Sequence, residues 1–186
     1  MLLLFPGAGS DASHSSLRAI ERWVDPHPCR RLDFPYRLAG RRAPDRTPVL
    51  LDAVRRAIDD VPPDEPLVLG GRSMGGRMCS LVAAGADGRP APPRLRGLML
   101  VSYPLHPPKH PDRLRVEHLV SIGVPTLFIS GDRDRFGSPD ELARWTATMP
   151  RRAKVRHLFI EGRGHDLAGS DHTIAGAVVD FLGAVV

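Results

Sequence analysis

Lysine is almost missing from this chain. Of its 26 basic residues only Lys109 and Lys154 are lysines, so the formal net charge of +5 is carried by arginine. Arg30, Arg31, Arg37, Arg41, Arg42 and Arg46 cluster in sequence, but no aromatic ladder and no basic helix accompanies them, and aromatics are 5% of the chain. That excludes the usual build of a nucleic-acid surface, and no nucleic-acid partner is expected. Cysteine is equally scarce. Cys29 and Cys79 lie far apart and are expected to be two reduced thiols rather than a disulfide framework. No apolar run reaches the length a bilayer demands, and Met1 to Phe5 is too short and lacks the basic residues of a signal peptide. The expectation is a cytoplasmic protein with no membrane partner. Metal-ligand spacing is also lacking, because His106 and His110 stand in a loop broken by Pro104, Pro107, Pro108 and Pro111, with no helix-based pair.

What is present is a regular alternation. Short apolar runs and amphipathic stretches predict strand 2–5, helix 12–24, strand 29–33, helix 47–60, strand 67–70, helix 74–85, strand 97–102, a short helix near 113–121, strand 125–130, helix 139–149, strand 155–160 and helix 171–184. Strict alternation argues for a mostly parallel sheet of about six strands with helices on both faces. The 186 residues suffice for one sizeable core, so a single domain over residues 1–186 is expected. Ligands of such sheets bind outside the carboxyl ends of the strands, where the winding direction reverses.

One stretch carries chemistry. Leu67-Val68-Leu69-Gly70-Gly71-Arg72-Ser73-Met74-Gly75-Gly76-Arg77 reads as a strand turning sharply into a helix with Ser73 at the apex. A serine on such a turn is strained, and the residues two before and two after it must lack a side chain so that strand and helix can pass closely. Gly71 and Gly75 meet that need. The first N–H groups of the helix then face any oxyanion formed beside the serine, with Met74 as one donor.

A serine nucleophile needs a base and an acid at later strand ends. His165 is the best base of the eight histidines, because it lies in a glycine-lined loop just past strand 155–160. His157 falls within that strand and reads as a packed or surface histidine, and His172 as a first-turn surface residue. Asp132 and Asp134 both follow Gly131. Asp134 is favoured as the acid, since a turn is needed before a carboxylate swings toward the histidine, and Asp132 is expected to cap its own backbone.

The loop Pro6-Gly7-Ala8-Gly9-Ser10 after the first strand is expected to supply the second oxyanion donor, from Ala8. That loop has a rival reading. Gly7-x-Gly9-x-x-Ala12 with Asp33 about 20 residues on matches a dinucleotide fingerprint. Pro6 in the turn opposes it, and a dinucleotide site leaves the settings of Ser73, Asp134 and His165 unexplained. No cofactor is therefore expected.

Phe5-Pro6-Gly7-Ala8-Gly9-Ser10, Asp33-Phe34-Pro35-Tyr36, Gly71-Arg72-Ser73-Met74-Gly75-Gly76-Arg77, Ser102-Tyr103-Pro104-Leu105-His106-Pro107-Pro108 and Gly164-His165-Asp166 together resemble a dienelactone-hydrolase-like group of α/β-hydrolases. Within that group the resemblance is closest to bacterial relatives of the testis-expressed protein 30 family. It implies an α/β-hydrolase fold, a triad of Ser73, Asp134 and His165, and hydrolysis of a small-molecule ester without a cofactor. Some eukaryotic relatives belong to a histone acetyltransferase complex, so an interaction scaffold is the alternative reading. Pro6 stands where the family usually has histidine. The chain begins directly on the strand before this loop, so a sheet lacking the usual N-terminal strands is expected. The stretch from Tyr103 to Asp112 is too short for a lid domain, which predicts an open site. Strand 29–33 then becomes an edge, leaving both a monomer behind its charges and a homodimer that continues the sheet as expectations.

Overall fold

In a computed structural model describing residues 1–186, six strands form one all-parallel sheet. The strands are β1 (Leu2–Phe5), β2 (Cys29–Arg31), β3 (Leu67–Arg72), β4 (Leu95–Val101), β5 (Thr126–Gly131) and β6 (Arg156–Ile160), in spatial order β2-β1-β3-β4-β5-β6. The chain steps outward from β1 to β2, then crosses back to place β3 on the other side of β1 and continues that way. The reversal of winding therefore falls between β1 and β3, and their carboxyl ends flank one crevice.

The four inner strands, β1, β3, β4 and β5, are largely apolar on both faces, as a sheet covered on both sides requires, while the edge strands β2 and β6 carry arginine and histidine. Alternate residues divide between two cores. Leu3, Phe5, Leu69, Leu98, Leu100 and Phe128 face α3 (Thr47–Asp59), α4 (Met74–Ala83) and α5 (Pro139–Thr146). Leu2, Leu4, Val68, Met99, Val101, Leu127 and Ile129 face α1 (Ser15–Trp23) and α6 (Asp171–Val185). The remaining helix, α2 (Pro35–Leu38), is a single turn.

The expected elements are present, with shifted ends. Helix α1 starts at Ser15 rather than residue 12, because the preceding backbone is used otherwise: the Asp33 carboxylate accepts the Ala12 N–H at 2.7 Å and Asp11 accepts that of Ser13 at 2.8 Å. Strand β2 ends at Arg31, two residues early, since the chain turns into α2 at Pro35. Strand β4 begins two residues early, at Leu95, and α5 stops at Thr146, three residues early. Of the expected helix near 113–121 only a 3₁₀ turn at Leu119–Ser121 forms. The segment after β4 makes no lid. It lies down on the sheet's end, with the Tyr103 hydroxyl donating to Arg115 O at 2.8 Å and the Arg115 N–H to Leu105 O at 2.8 Å. No helix is long and apolar enough to cross a membrane.

Candidate active site

The turn from β3 into α4 is the most constrained backbone in the crevice. Ser73 has φ 49° and ψ −115°, a conformation that a residue with a Cβ adopts only under strain. The flanking glycines explain how it is tolerated. A Cβ on Gly71 would lie 2.7 Å from Gly75 C and from Phe5 O, and one on Gly75 would lie 2.5 Å from Pro6 O. The β1 loop is thus packed directly onto the elbow, and a Cβ on Gly7 would sit 3.5 Å from that of Ser73.

Above the elbow, His165 bridges two groups. Its Nε2 is 2.8 Å from Ser73 Oγ, and its Nδ1 lies 2.8 and 3.0 Å from the two oxygens of Asp134. Asp134 is buried, and its Oδ1 also accepts the Phe136 N–H at 2.8 Å. Phe136 stacks on the imidazole with centroids 4.0 Å apart, covering one ring face. Asp132 does not cap its own backbone as expected. Its N–H bonds to Ile160 O and its Oδ1 is buried without a partner, while the turn that follows is closed by Asp134 instead.

His14 also lines the crevice, while His157, His172, His106 and His110 stand elsewhere. His157 bonds Thr146 Oγ1 at 3.0 Å and packs between Phe128 and Phe159, and burial lowers its pKa. His172 meets the edge of Trp23. His106 is buried and His110 exposed, and no group of three His, Cys, Asp or Glu is gathered anywhere. Cys29 and Cys79 are free, and burial pushes the Cys29 thiol up to about 12 and that of Cys79 higher still.

Met74 and Ala8 both line the crevice beside Ser73. Met74 opens α4, so its N–H has no partner within the helix. In the Gly7–Ala8 peptide the carbonyl accepts the Ser10 N–H at 3.2 Å, and the trans peptide turns the Ala8 N–H the opposite way. Tyr36 Oη holds the loop from behind, donating to Ala8 O at 3.0 Å.

Arg72 was visible in the sequence only as a spacer in the elbow motif. It is nearly buried, and its Nη2 donates to the carbonyl of His165 at 2.8 Å, tying the residue before the serine to the loop that carries the imidazole. Burial lowers its pKa, against the opposing pull of Asp166, Asp134 and Asp171. A charged residue closing an otherwise apolar strand was the available signal. Arg77, Arg115 and Pro104 also line the crevice, which encloses about 650 Å³.

Residues 1–176 match the family described as alpha/beta hydrolase domain. The chain belongs to that family. Among solved structures, this alpha/beta hydrolase domain is similar to Est1E from Butyrivibrio proteoclasticus with ferulic acid bound, at 13% identity and TM-score 0.73, over 99% of this chain and 88% of that one. It is also similar to mouse alpha/beta hydrolase domain-containing protein 10, at 15% identity and TM-score 0.74, covering 100% and 90%. A monoacylglycerol lipase from Paleococcus ferrophilus aligns at 14% identity and TM-score 0.70, covering 100% and 94%. At such identities the likeness concerns the fold. In the first loop, the alpha/beta hydrolase domain departs from a dinucleotide site: α1 begins six residues after Gly9, so the loop does not run directly into a helix, and the Asp33 carboxylate is engaged by Ala12.

Proposed function

We propose that this chain is a serine hydrolase cleaving a carboxylic ester of a small molecule through an acyl-enzyme, as the dienelactone-hydrolase-like resemblance suggests. The observation that carries the reading is the imidazole of His165, held at 2.8 Å from both Ser73 Oγ and Asp134 Oδ2. Nothing in a scaffold role requires a strained serine, a histidine and a buried carboxylate in hydrogen-bond sequence.

Asp134 accepts the proton of His165 Nδ1, which leaves Nε2 as the acceptor facing Ser73. As Ser73 Oγ attacks the ester carbonyl carbon, its proton passes to Nε2, and Asp134 stabilises the imidazolium. The carbonyl oxygen gains the negative charge, and the N–H groups of Met74 and Ala8 bind it. The C–O bond to the alcohol breaks, and the alcohol leaves with the proton from Nε2. Water, deprotonated by the same nitrogen, attacks the acyl-enzyme and releases the acid and free Ser73.

The test is labelling by a fluorophosphonate probe together with turnover of a short-chain nitrophenyl ester. Wild type should label and turn over, while Ser73→Ala and His165→Ala should lose nearly all turnover with an unchanged melting temperature. Ester turnover unaffected by both substitutions refutes the site, and a folded wild type that neither labels nor turns over ester favours the scaffold.

A further inference from the structure

We propose that His14 forms the leaving-group wall of this crevice, and that its Nε2–H donates a hydrogen bond to a second oxygen in the alcohol half of the ester. The proposal rests on the hydrolase reading and adds a substrate class to it: esters of a diol, a polyol or an alkoxy alcohol, which carry an acceptor that a plain alkyl chain lacks. His14 lines the crevice with Ser73 and His165, and the acyl-transfer steps leave it unused.

The helix cap fixes what this imidazole can do. His14 is the N-cap of α1, a place usually taken by Ser, Thr, Asp or Asn. Its Nδ1 accepts the Ser16 N–H at 3.3 Å and lies 2.9 Å from Ser16 Oγ. A ring nitrogen that accepts carries no proton, so in the neutral imidazole the proton sits on Nε2. Nε2 makes no hydrogen bond within the protein and is not buried. Burial and then the charge of Arg72 lower the pKa of the ring, against the pull of Asp171 and Asp11, which keeps it neutral at neutral pH. Protonation would also set an Nδ1–H against the Ser16 N–H that Nδ1 now accepts. The crevice thus has a neutral donor of fixed tautomer, with no protein acceptor for it.

Topology puts that donor on the alcohol side. Arg72 follows Val68 by four residues in β3 and shares its face, the one covered by α1 and α6. Asp171, the first residue of α6, acts on both Arg72 and His14 through its charge. The loop that carries His165 runs into α6, and Arg72 Nη2 donates to the His165 carbonyl at 2.8 Å. His14 and His165 therefore rise from the same side of the sheet. Leu50, Met74 and Met78 line the crevice on the opposite side, from α3 and α4. Because His165 Nε2 must protonate the departing oxygen, the alcohol half lies on the histidine side and the acyl chain lies toward the apolar wall. A hydroxyl or ether oxygen a few atoms beyond the ester oxygen then meets His14, whereas an alkyl chain strips water from the Nε2–H and replaces it with nothing.

The experiment compares 2-methoxyethyl butyrate with butyl butyrate, esters in which one ether oxygen replaces one methylene. Both pass through the same butyryl-enzyme, so the ratio of their kcat/KM values reads the alcohol half alone. In His14→Asn the amide oxygen takes the place of Nδ1 and keeps the cap, while nothing reaches as far as Nε2. The ratio of methoxyethyl to butyl ester should fall about 5-fold in that variant, the worth of one neutral hydrogen bond. His14→Gln, whose amide nitrogen does reach the place of Nε2, should keep more of it. A residue that only capped α1 would affect both esters alike. An unchanged ratio in His14→Asn, with turnover still dependent on Ser73, overturns the assignment and leaves the hydrolase reading standing. If neither ester is turned over, fluorophosphonate labelling decides the hydrolase reading, and ¹⁵N spectra of the histidines during titration with 2-methoxyethanol decide the His14 donor. A saturable shift at its Nε2 that 1-butanol does not produce upholds the donor, and no shift overturns it.

Discussion

Replacing Asp134 by asparagine tests the chemistry without removing an atom's worth of volume. Asp134 Oδ1 accepts the Phe136 N–H at 2.8 Å, and both oxygens lie within 3.0 Å of His165 Nδ1. In Asp134→Asn the remaining carbonyl oxygen keeps the Phe136 bond, because only it can accept. The amide nitrogen is then the group that faces Nδ1, and it can only donate. The imidazole must answer by placing its own proton on Nε2, toward Ser73 Oγ, where an acceptor is needed. The base is disabled by a tautomer change while every heavy atom stays in place. The neutral amide also leaves the imidazolium of the transition state without its counter-charge. Together these effects should lower kcat about 10³- to 10⁴-fold, with KM nearly unchanged. Steady-state hydrolysis of a short nitrophenyl ester reads the loss, and urea denaturation checks that stability is within about 1 kcal/mol of wild type. Asp132→Asn is the control, since the Asp132 side chain makes no hydrogen bond to His165. Turnover of Asp134→Asn within 10-fold of wild type, or a greater loss in Asp132→Asn, would refute the reasoning.

Gly75→Ala drives a Cβ to 2.5 Å from Pro6 O, a backbone atom that cannot step aside alone. It should cost about 3 kcal/mol in urea denaturation and lower ester turnover as the β1 loop is pushed off the elbow. Gly9→Ala meets nothing within 4 Å and should change stability by less than about 0.5 kcal/mol. Arg55 grips Asp87 through two bonds of 2.6 and 2.7 Å, with both side chains buried. Arg55→Ala should therefore destabilise by about 3–5 kcal/mol, most of it from the carboxylate left unpaired. Burial alone would raise the pKa of Asp87, but the hydrogen bonds and charge of Arg55 outweigh it and leave the carboxyl below its ordinary value. The pair's stabilisation is then complete above the unfolded carboxyl value of about 4 and is lost as pH falls below it. Wild type and Arg55→Ala, compared by thermal melting from pH 6 to pH 2, should converge at the acid end.

The strand ends and the elbow were legible because each is a local pattern. An apolar run bounded by glycine marks β3 and β5, and the glycines flanking Ser73 answer a contact between backbones that any sharp strand-to-helix turn must make. Asp132 was harder, because two carboxylates within one turn differ only in direction, and direction follows from how the turn closes on β6. Asp33 fitted a nucleotide pattern by spacing alone, whereas its partner, the Ala12 N–H, becomes visible only once β2 lies beside β1. The crevice arginines were hidden for a related reason. Arg77 and Arg115 are 38 positions apart and meet because the segment after β4 folds back over α4.

Helix α1 forms early in the chain and packs with α6, which follows every strand; the edge contact of Trp23 with His172 is one place where they meet. While a ribosome is still adding the residues of α6, one whole side of the sheet, with Leu2, Leu4, Val68, Met99 and Leu127, has only α1 to shield it from water. The nascent chain is thus a half-covered sheet until α6 emerges, a species prone to self-association. Slowing synthesis while α6 is being made, or engaging a chaperone at that moment, should change the soluble yield.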